Sequence, residues 1–133
     1  MPDLHIQFRR KMAVFWNRGS NDVGLWIISP EPYSETFLQS GFIQPFGWSP
    51  DGKYVYATRR ETAPGREIIR VQVATPNQLS PVVTLPVDVG EGFGKVFGAR
   101  LSLSPDGQSI VVTAGEEKSD VWLMENFDPS AHR

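Results

Sequence analysis

The fold of this chain is decided by two matching stretches, Phe46-Gly-Trp-Ser-Pro-Asp-Gly-Lys-Tyr-Val-Tyr56 and Leu101-Ser-Leu-Ser-Pro-Asp-Gly-Gln-Ser-Ile-Val-Val112. In both stretches an alternating apolar segment leads into Ser-Pro-Asp-Gly, and a second segment typical of a β-strand follows. Ser104 lies 55 residues after Ser49, a period that indicates a propeller or a solenoid built from one supersecondary unit. We therefore interpret the chain as a repeat scaffold that binds a ligand or a partner, in preference to a self-contained catalyst.

Each copy of the tetrapeptide predicts a tight turn at the end of a strand. Pro fixes φ near about −65°, Asp accepts a hydrogen bond from the backbone two residues on, and Gly adopts the positive φ that closes the turn. Ser, just before Pro, favours the extended conformation. We assign the Asp side chains to turn formation in preference to the alternative, a cation site in a central channel. The residues concerned are Ser49, Pro50, Asp51, Gly52, Ser104, Pro105, Asp106 and Gly107.

The composition limits the class of protein and the kinds of partner that we expect. The chain has 133 residues, of which 40% are hydrophobic and 21% charged, as in one globular domain. Its net charge of −2 provides no basic field, so we expect no nucleic-acid partner. The absence of Cys excludes disulfides, thiol nucleophiles and zinc–thiolate sites. No apolar run reaches the roughly 20 residues of a membrane span, and residues 1–10 lack the pattern of a signal peptide, so no compartment is assigned.

The segments between the turns predict an all-β fold. Eleven Pro and twelve Gly separate short apolar runs that alternate with period two, and no window repeats apolar residues at helical spacing. The pattern divides into three antiparallel units, at about residues 4–39, 43–86 and 98–127. The third unit lacks its last strand.

Two further segments repeat as well, Asp22-Val-Gly-Leu-Trp-Ile-Ile28 and Ser119-Asp-Val-Trp-Leu-Met124. Together with the Ser-Pro-Asp-Gly stretches, they resemble the TolB-type β-propeller repeat, a relative of the WD-repeat family. The resemblance covers about residues 11 to 127 and implies four-stranded antiparallel blades. Repeats of this type are similar to those in TolB, in the propellers of prolyl oligopeptidase-like peptidases, and in the sensor regions of bacterial kinases and transcriptional regulators.

The number of units is smaller than a closed ring requires. Propellers close with about four to eight blades, whereas this sequence supplies about three. We therefore expect either a portion of a larger bacterial protein or a homodimer that completes a six-bladed ring. In the second case, residues 4–8 are a spare strand that would complete the third unit of the partner copy.

The leading hypothesis for function is a non-catalytic module that binds a protein or peptide, or senses a ligand. The alternative is a propeller domain accessory to a prolyl oligopeptidase-like serine peptidase whose catalytic domain is absent from this sequence. No Gly-x-Ser-x-Gly elbow occurs, and Gly90-Glu-Gly-Phe-Gly-Lys95 lacks the spacing of a phosphate loop. We assign no catalytic residue, no cofactor and no metal site.

The loops between the second and third strands of the units are the surface that we expect to bind a partner. These loops fall on the same side of the predicted fold, where loops commonly carry function. For Arg59 and its neighbours, a solvated cluster of ion pairs is the first interpretation, and an interaction rim is the alternative. The loop residues are Asn17, Arg18, Asn21, Asp22, Arg59, Arg60, Arg66, Glu116, Glu117 and Lys118.

The tryptophans are the remaining candidates for binding. Trp16, Trp26, Trp48 and Trp122 all fall within predicted strands. We expect them to pack between neighbouring units, since large aromatic side chains fill such spaces. The alternative is a stacking platform for sugars or bases.

Overall fold

The computed structural model describes residues 4–19, 21–59, 67–84, 100–114 and 120–129. These residues form an all-β fold of eleven strands, and none of them lies in an α-helix. No part of the described chain is a helix of the length and hydrophobicity that a membrane span requires. The strands are β1 (Leu4–Phe8), β2 (Lys11–Asn17), β3 (Val23–Pro30), β4 (Tyr33–Ser40), β5 (Ile43–Trp48), β6 (Tyr54–Arg59), β7 (Glu67–Gln72), β8 (Leu79–Thr84), β9 (Arg100–Leu103), β10 (Ser109–Ala114) and β11 (Asp120–Glu125).

The strands form three antiparallel sheets, each of which follows the order of the sequence. Sheet one contains β1 to β4, sheet two contains β5 to β8, and sheet three contains β9 to β11. Every strand pairs with its neighbour in the chain, as short connections allow. The prediction of an all-β chain with three antiparallel sheets is confirmed.

The first strand is where the sequence prediction fails. We expected residues 4–8 to be available to a partner copy, but β1 pairs with β2 along its whole length, from Leu4 opposite Phe15 to Phe8 opposite Lys11. Only two residues separate the strands, and the first of them, Arg9, has a φ of 55°. A two-residue hairpin of this kind makes the neighbouring strand the nearest partner. The idea of a donated β1 is therefore wrong.

The core lies on both faces of sheet two, because alternate residues of its strands point in opposite directions. On one face Val55, Ala57 and Ile69 pack with Leu25 and Leu38 of sheet one. The second core joins the other face to sheet three and to the segment after β11; its buried members are Tyr56, Ile68, Ile110 and Phe127. Sheet two is thus the central layer.

The sheets approach one another through their first strands. The strand β5 contacts β1 on one side and β9 on the other. The approach of β5 to β9 depends on Gly47, since a Cβ atom there would lie 2.8 Å from the side chain of Leu103. Glycine permits this contact because it has no side chain to displace.

Candidate interaction surface

The first Ser-Pro-Asp-Gly motif forms a closed hydrogen-bonded turn. The Ser49 hydroxyl donates to Asp51 Oδ1 at 2.7 Å, and the Lys53 N–H donates to the same oxygen at 3.0 Å. The Tyr54 N–H donates to Ser49 Oγ at 3.0 Å, and the Gly52 N–H donates to the Ser49 carbonyl at 2.9 Å. All of these bonds join residues within one six-residue segment, so the turn is specified locally.

The second motif repeats this network bond for bond. The Ser104 hydroxyl donates to Asp106 Oδ1 at 2.6 Å, and the Gln108 N–H donates to the same oxygen at 3.0 Å. The Ser109 N–H donates to Ser104 Oγ at 3.0 Å. The glycine that closes each turn has a φ of 75°. In both motifs the aspartate thus accepts hydrogen bonds from within its own turn.

The electrostatics of the first turn agree with a structural role for its carboxylate. The backbone N–H of Lys53 and the Ser49 hydroxyl hold the pKa of Asp51 below its usual range, because hydrogen bonds to a carboxylate favour its charged form. In the chain as described, no three His, Cys, Asp or Glu side chains are grouped closely enough to hold a metal ion.

Successive turns stack on one another at one end of the sheets, which we call the turn end. A Cβ atom on Gly107 would lie 2.6 Å from Cδ of Pro50, in the preceding motif. A Cβ atom on Gly52 would lie 2.6 Å from the ring of Phe8, at the end of β1. Each turn glycine therefore provides both the positive φ and the space for the preceding unit.

The described tryptophan side chains pack in apolar clusters, but Trp48 and Trp26 belong to different clusters. Trp48 is buried in the core between sheets one and two, and its ring lies 5.3 Å from that of Phe8. Trp26 is buried on the opposite face of sheet one, where it stacks on Phe37 at 4.9 Å. Packing between units is confirmed for Trp48, and the side chain of Trp122 lies outside the described residues.

Arg18, a predicted loop residue, lies over the outer face of sheet one. Its guanidinium carbon is 4.2 Å from the ring centroid of Trp16 and 4.9 Å from that of Trp26. The same side chain forms an ion pair with Glu35, which also accepts a hydrogen bond from the Tyr33 hydroxyl. The Tyr33 hydrogen bond and then Arg18 hold the pKa of Glu35 below its usual range. Arg18 thus covers the aromatic face through cation–π contacts.

The rest of the β2–β3 loop is closed by its own hydrogen bonds. The Arg18 N–H donates to the Asp22 carbonyl at 3.2 Å, and the Asp22 N–H donates to the Gly19 carbonyl at 3.1 Å. The Gly19 N–H donates to Asn17 Oδ1 at 3.4 Å. The side chains of Asn17, Asn21 and Asp22 are exposed, as a binding loop requires.

The β6–β7 loop is flanked by an ion pair. Arg59 Nε donates to Glu67 Oε1 at 2.7 Å, and the two residues lie opposite each other on β6 and β7. This pair agrees with the first interpretation of these residues, a partly solvated ion-pair cluster. The other predicted loop residues, Arg60, Arg66, Glu116, Glu117 and Lys118, lie outside the described residues.

Phe42 is a candidate that the sequence analysis missed. It is 68% exposed, and its ring lies 5.8 Å from that of Phe15. The neighbouring Gly41 N–H donates to the carbonyl of Val23, the residue that follows the β2–β3 loop. Phe42 therefore lies beside that loop, at the end of the sheets opposite the turn end, which we call the loop end. A bulky apolar residue between Gly41 and the start of β5 was the available signal.

A second missed group is the polar contact at the C-terminal segment. The Tyr56 hydroxyl donates to Asp128 Oδ2 at 2.8 Å, and Arg70 Nη1 donates to the same oxygen at 3.2 Å. The ring of Phe127 meets that of Tyr56 at 5.0 Å. Burial and the hydrogen bond to Asp128 raise the pKa of Tyr56, so its hydroxyl stays protonated and donates. This contact fastens the segment after β11 to sheet two.

Comparison with known proteins identifies no relative of this chain, since no protein-family model, no curated protein and no solved structure matches it.

Proposed function

We propose that this chain is a three-bladed portion of a TolB-type β-propeller and acts as a non-catalytic module that binds a protein or peptide. Two features of the sheets support the propeller. The first strand of each sheet, β1, β5 or β9, contacts the first strand of a neighbouring sheet, as expected for blades that fan out from a common axis. The turn motifs also stack in sequence order, which repeats one unit-to-unit contact along the chain.

Binding at the loop end rests on one observation, the exposure of Phe42. Large aromatic side chains are frequent anchors of protein interfaces. Phe42 is flanked by the exposed polar loop that includes Asn17 and Asn21. An apolar anchor with a polar rim is the arrangement of a typical binding site. The matching partner is an extended or looped peptide that presents an apolar side chain.

A peptide selection tests this proposal with a matched control. A displayed library of random peptides is panned on the wild-type chain, and selected peptides are titrated onto the variants Phe42→Ser and Tyr33→Ser. Tyr33 is 64% exposed, against 68% for Phe42, but it is the first residue of β4 and lies at the turn end. Loss of binding of at least about tenfold in Phe42→Ser alone supports the proposal, since anchors carry most of the binding energy.

The results that contradict it are equally defined. If no peptide is enriched, or if the selected peptides bind Phe42→Ser as tightly as the wild type, then Phe42 is not an anchor. Equal loss in both variants indicates adhesion to any exposed aromatic residue and also overturns the proposal.

A further inference from the structure

We propose that three basic side chains at the turn end, Arg9, Lys11 and Lys53, form a surface that binds an acidic segment of a partner protein. These three residues are called the basic cluster below. The surface is separate from the peptide site at the loop end, because the two lie at opposite ends of the sheets. Binding at either one can therefore be absent while the other is present.

The basic cluster lies around the ring of Phe8. The guanidinium carbon of Arg9 is 5.2 Å from the centroid of that ring. Lys11 is directly opposite Phe8 across the β1–β2 hairpin, and residues opposite each other share one face of a sheet. Gly52 packs against the same ring, since a Cβ atom there would lie 2.6 Å from it, and Lys53 is the next residue. Packing of sheet one on sheet two thus brings the three basic residues together.

The charges of the basic cluster are accessible to solvent. Arg9, Lys11 and Lys53 are all exposed. Among the described residues, no carboxylate lies within ion-pair distance of the Lys11 or Lys53 ammonium group. The neighbouring Arg10 differs from them, because it forms an ion pair with Glu31. The two lysines therefore retain charges that a partner can reach.

Asp51 is the acidic residue that adjoins the basic cluster, and its own turn already engages it. Its Oδ1 atom accepts hydrogen bonds from the Ser49 hydroxyl and from the Lys53 N–H. Three basic side chains against this one carboxylate leave an excess of positive charge. The whole chain, in contrast, has a net charge of −2. Positive charge is therefore concentrated at this place.

The turn itself does not require a basic side chain at position 53. In the second motif Gln108 occupies the corresponding position, and its N–H forms the same hydrogen bond at the same distance of 3.0 Å. The exposed charged residues at that end of sheet three, Asp106 and Glu125, are acidic. The basic cluster is therefore a feature of the contact between sheets one and two, and the turn motif alone does not produce it.

The backbone of the turn favours carboxylates on a peptide over a single phosphate ion. Phosphate sites are typically built from converging backbone N–H groups. Here the N–H groups of Gly52, Lys53 and Tyr54 already donate within the turn. An anion would therefore be bound by side chains, and the compact charges of separate lysines suit carboxylates spaced along a segment. The net charge of −2 opposes a nucleic acid, which brings many phosphates.

Binding of a fluorescein-labelled hexaglutamate peptide, followed by anisotropy at low ionic strength, tests this surface. We expect the wild type to bind this peptide but not hexaglutamine, with a dissociation constant that rises with salt. Lys11→Gln and Lys53→Gln should each raise that constant by about twofold to fivefold, the range for exposed ion pairs, and the double variant should raise it by about tenfold. The control Arg100→Gln removes the same charge from the first residue of β9, at the loop end, and should bind as the wild type does. Circular dichroism of each variant verifies that the strands are intact.

Competition identifies the kind of anion that binds. Inorganic phosphate and hexathymidylate should displace the labelled peptide no better than sodium chloride at equal ionic strength. A wild type that does not bind hexaglutamate, a double lysine variant that binds it as tightly as the wild type, or an equal loss in Arg100→Gln would each overturn the proposal. Displacement by hexathymidylate at a lower concentration than by unlabelled hexaglutamate would indicate a nucleic-acid surface and would also overturn it.

Discussion

Replacement of Asp128 by alanine tests the contact that fastens the C-terminal segment to sheet two. The side chain of Asp128 is 5% exposed, and one of its oxygens accepts from both the Tyr56 hydroxyl and Arg70. Asp128 lies in the segment that follows β11, where Asn126 has a φ of 53° and its N–H donates to the carbonyl of Gln108 at 2.7 Å. Loss of the carboxylate therefore removes the polar link between this segment and sheet two.

The expected cost follows from what the substitution leaves behind. The Tyr56 hydroxyl would stay buried without its acceptor, which costs about 1–3 kcal/mol. Arg70 would lose this ion pair, but its guanidinium still lies over the ring of Tyr54, and its side chain is 20% exposed and can reach water. The total is therefore smaller than the roughly 3–5 kcal/mol for breaking a fully buried pair. We expect the free energy of unfolding to fall by about 2–4 kcal/mol, which lowers the Tm by about 10 °C for a chain of this length.

Urea unfolding, followed by tryptophan fluorescence and by circular dichroism, measures this change. The matched control is Glu31→Ala, which removes an ion pair with Arg10 whose side chains are 79% and 77% exposed. Exposed pairs contribute about 0–1 kcal/mol, so the control should be close to the wild type. The double variant Tyr56→Phe and Asp128→Ala should lose less than the sum of the single losses, since the buried hydroxyl is then absent. A loss for Asp128→Ala no larger than that of Glu31→Ala would refute the reasoning.

Three further perturbations test other parts of the structure. Asp51→Asn should be less stable than the wild type at neutral pH, and the difference should disappear in acid. The pKa of Asp51 in the folded chain is depressed below 3.8. The Asp51 carboxylate therefore stabilises the fold above that pH, and this stabilisation is lost as the pH falls through the folded pKa. Urea titrations at several pH values measure this difference, and a gap that does not change with pH would contradict the assignment. Gly47→Ala should lower the free energy of unfolding by about 1–3 kcal/mol, because the added methyl group overpacks against Leu103. Leu103→Ala should lower it less in the Gly47→Ala background than in the wild type. A double-mutant cycle of unfolding free energies measures this difference. Additive losses would show that the two residues are not in contact. Arg18→Ala should increase acrylamide quenching of the two tryptophans beneath it, whereas Arg10→Ala should not; equal quenching in both variants would show that Arg18 does not cover them.

The turns and the strand order could be predicted from sequence because the interactions that specify them are local. The hydrogen bonds of the first turn, which involve Ser49, Asp51 and the glycine that follows, all lie within six residues. The second motif forms the same local bonds. Alternation of apolar residues specifies which face of each strand is buried, and short connections make sequence neighbours into sheet neighbours. The tight turn at Arg9 was missed because it lacks the usual hairpin residues, although it too is local.

The contacts that define the candidate surfaces were decided by the tertiary structure. Tyr56 and Asp128 are separated by 72 residues, and no local pattern connects them. Arg18 was expected to face a partner from its loop, but two tryptophans and Glu35 hold it on the face of sheet one. The exposure of Phe42 likewise depends on how sheets one and two pack. Turn chemistry and strand periodicity are properties of neighbouring residues, whereas burial and pairing at a distance exist only once the sheets have stacked.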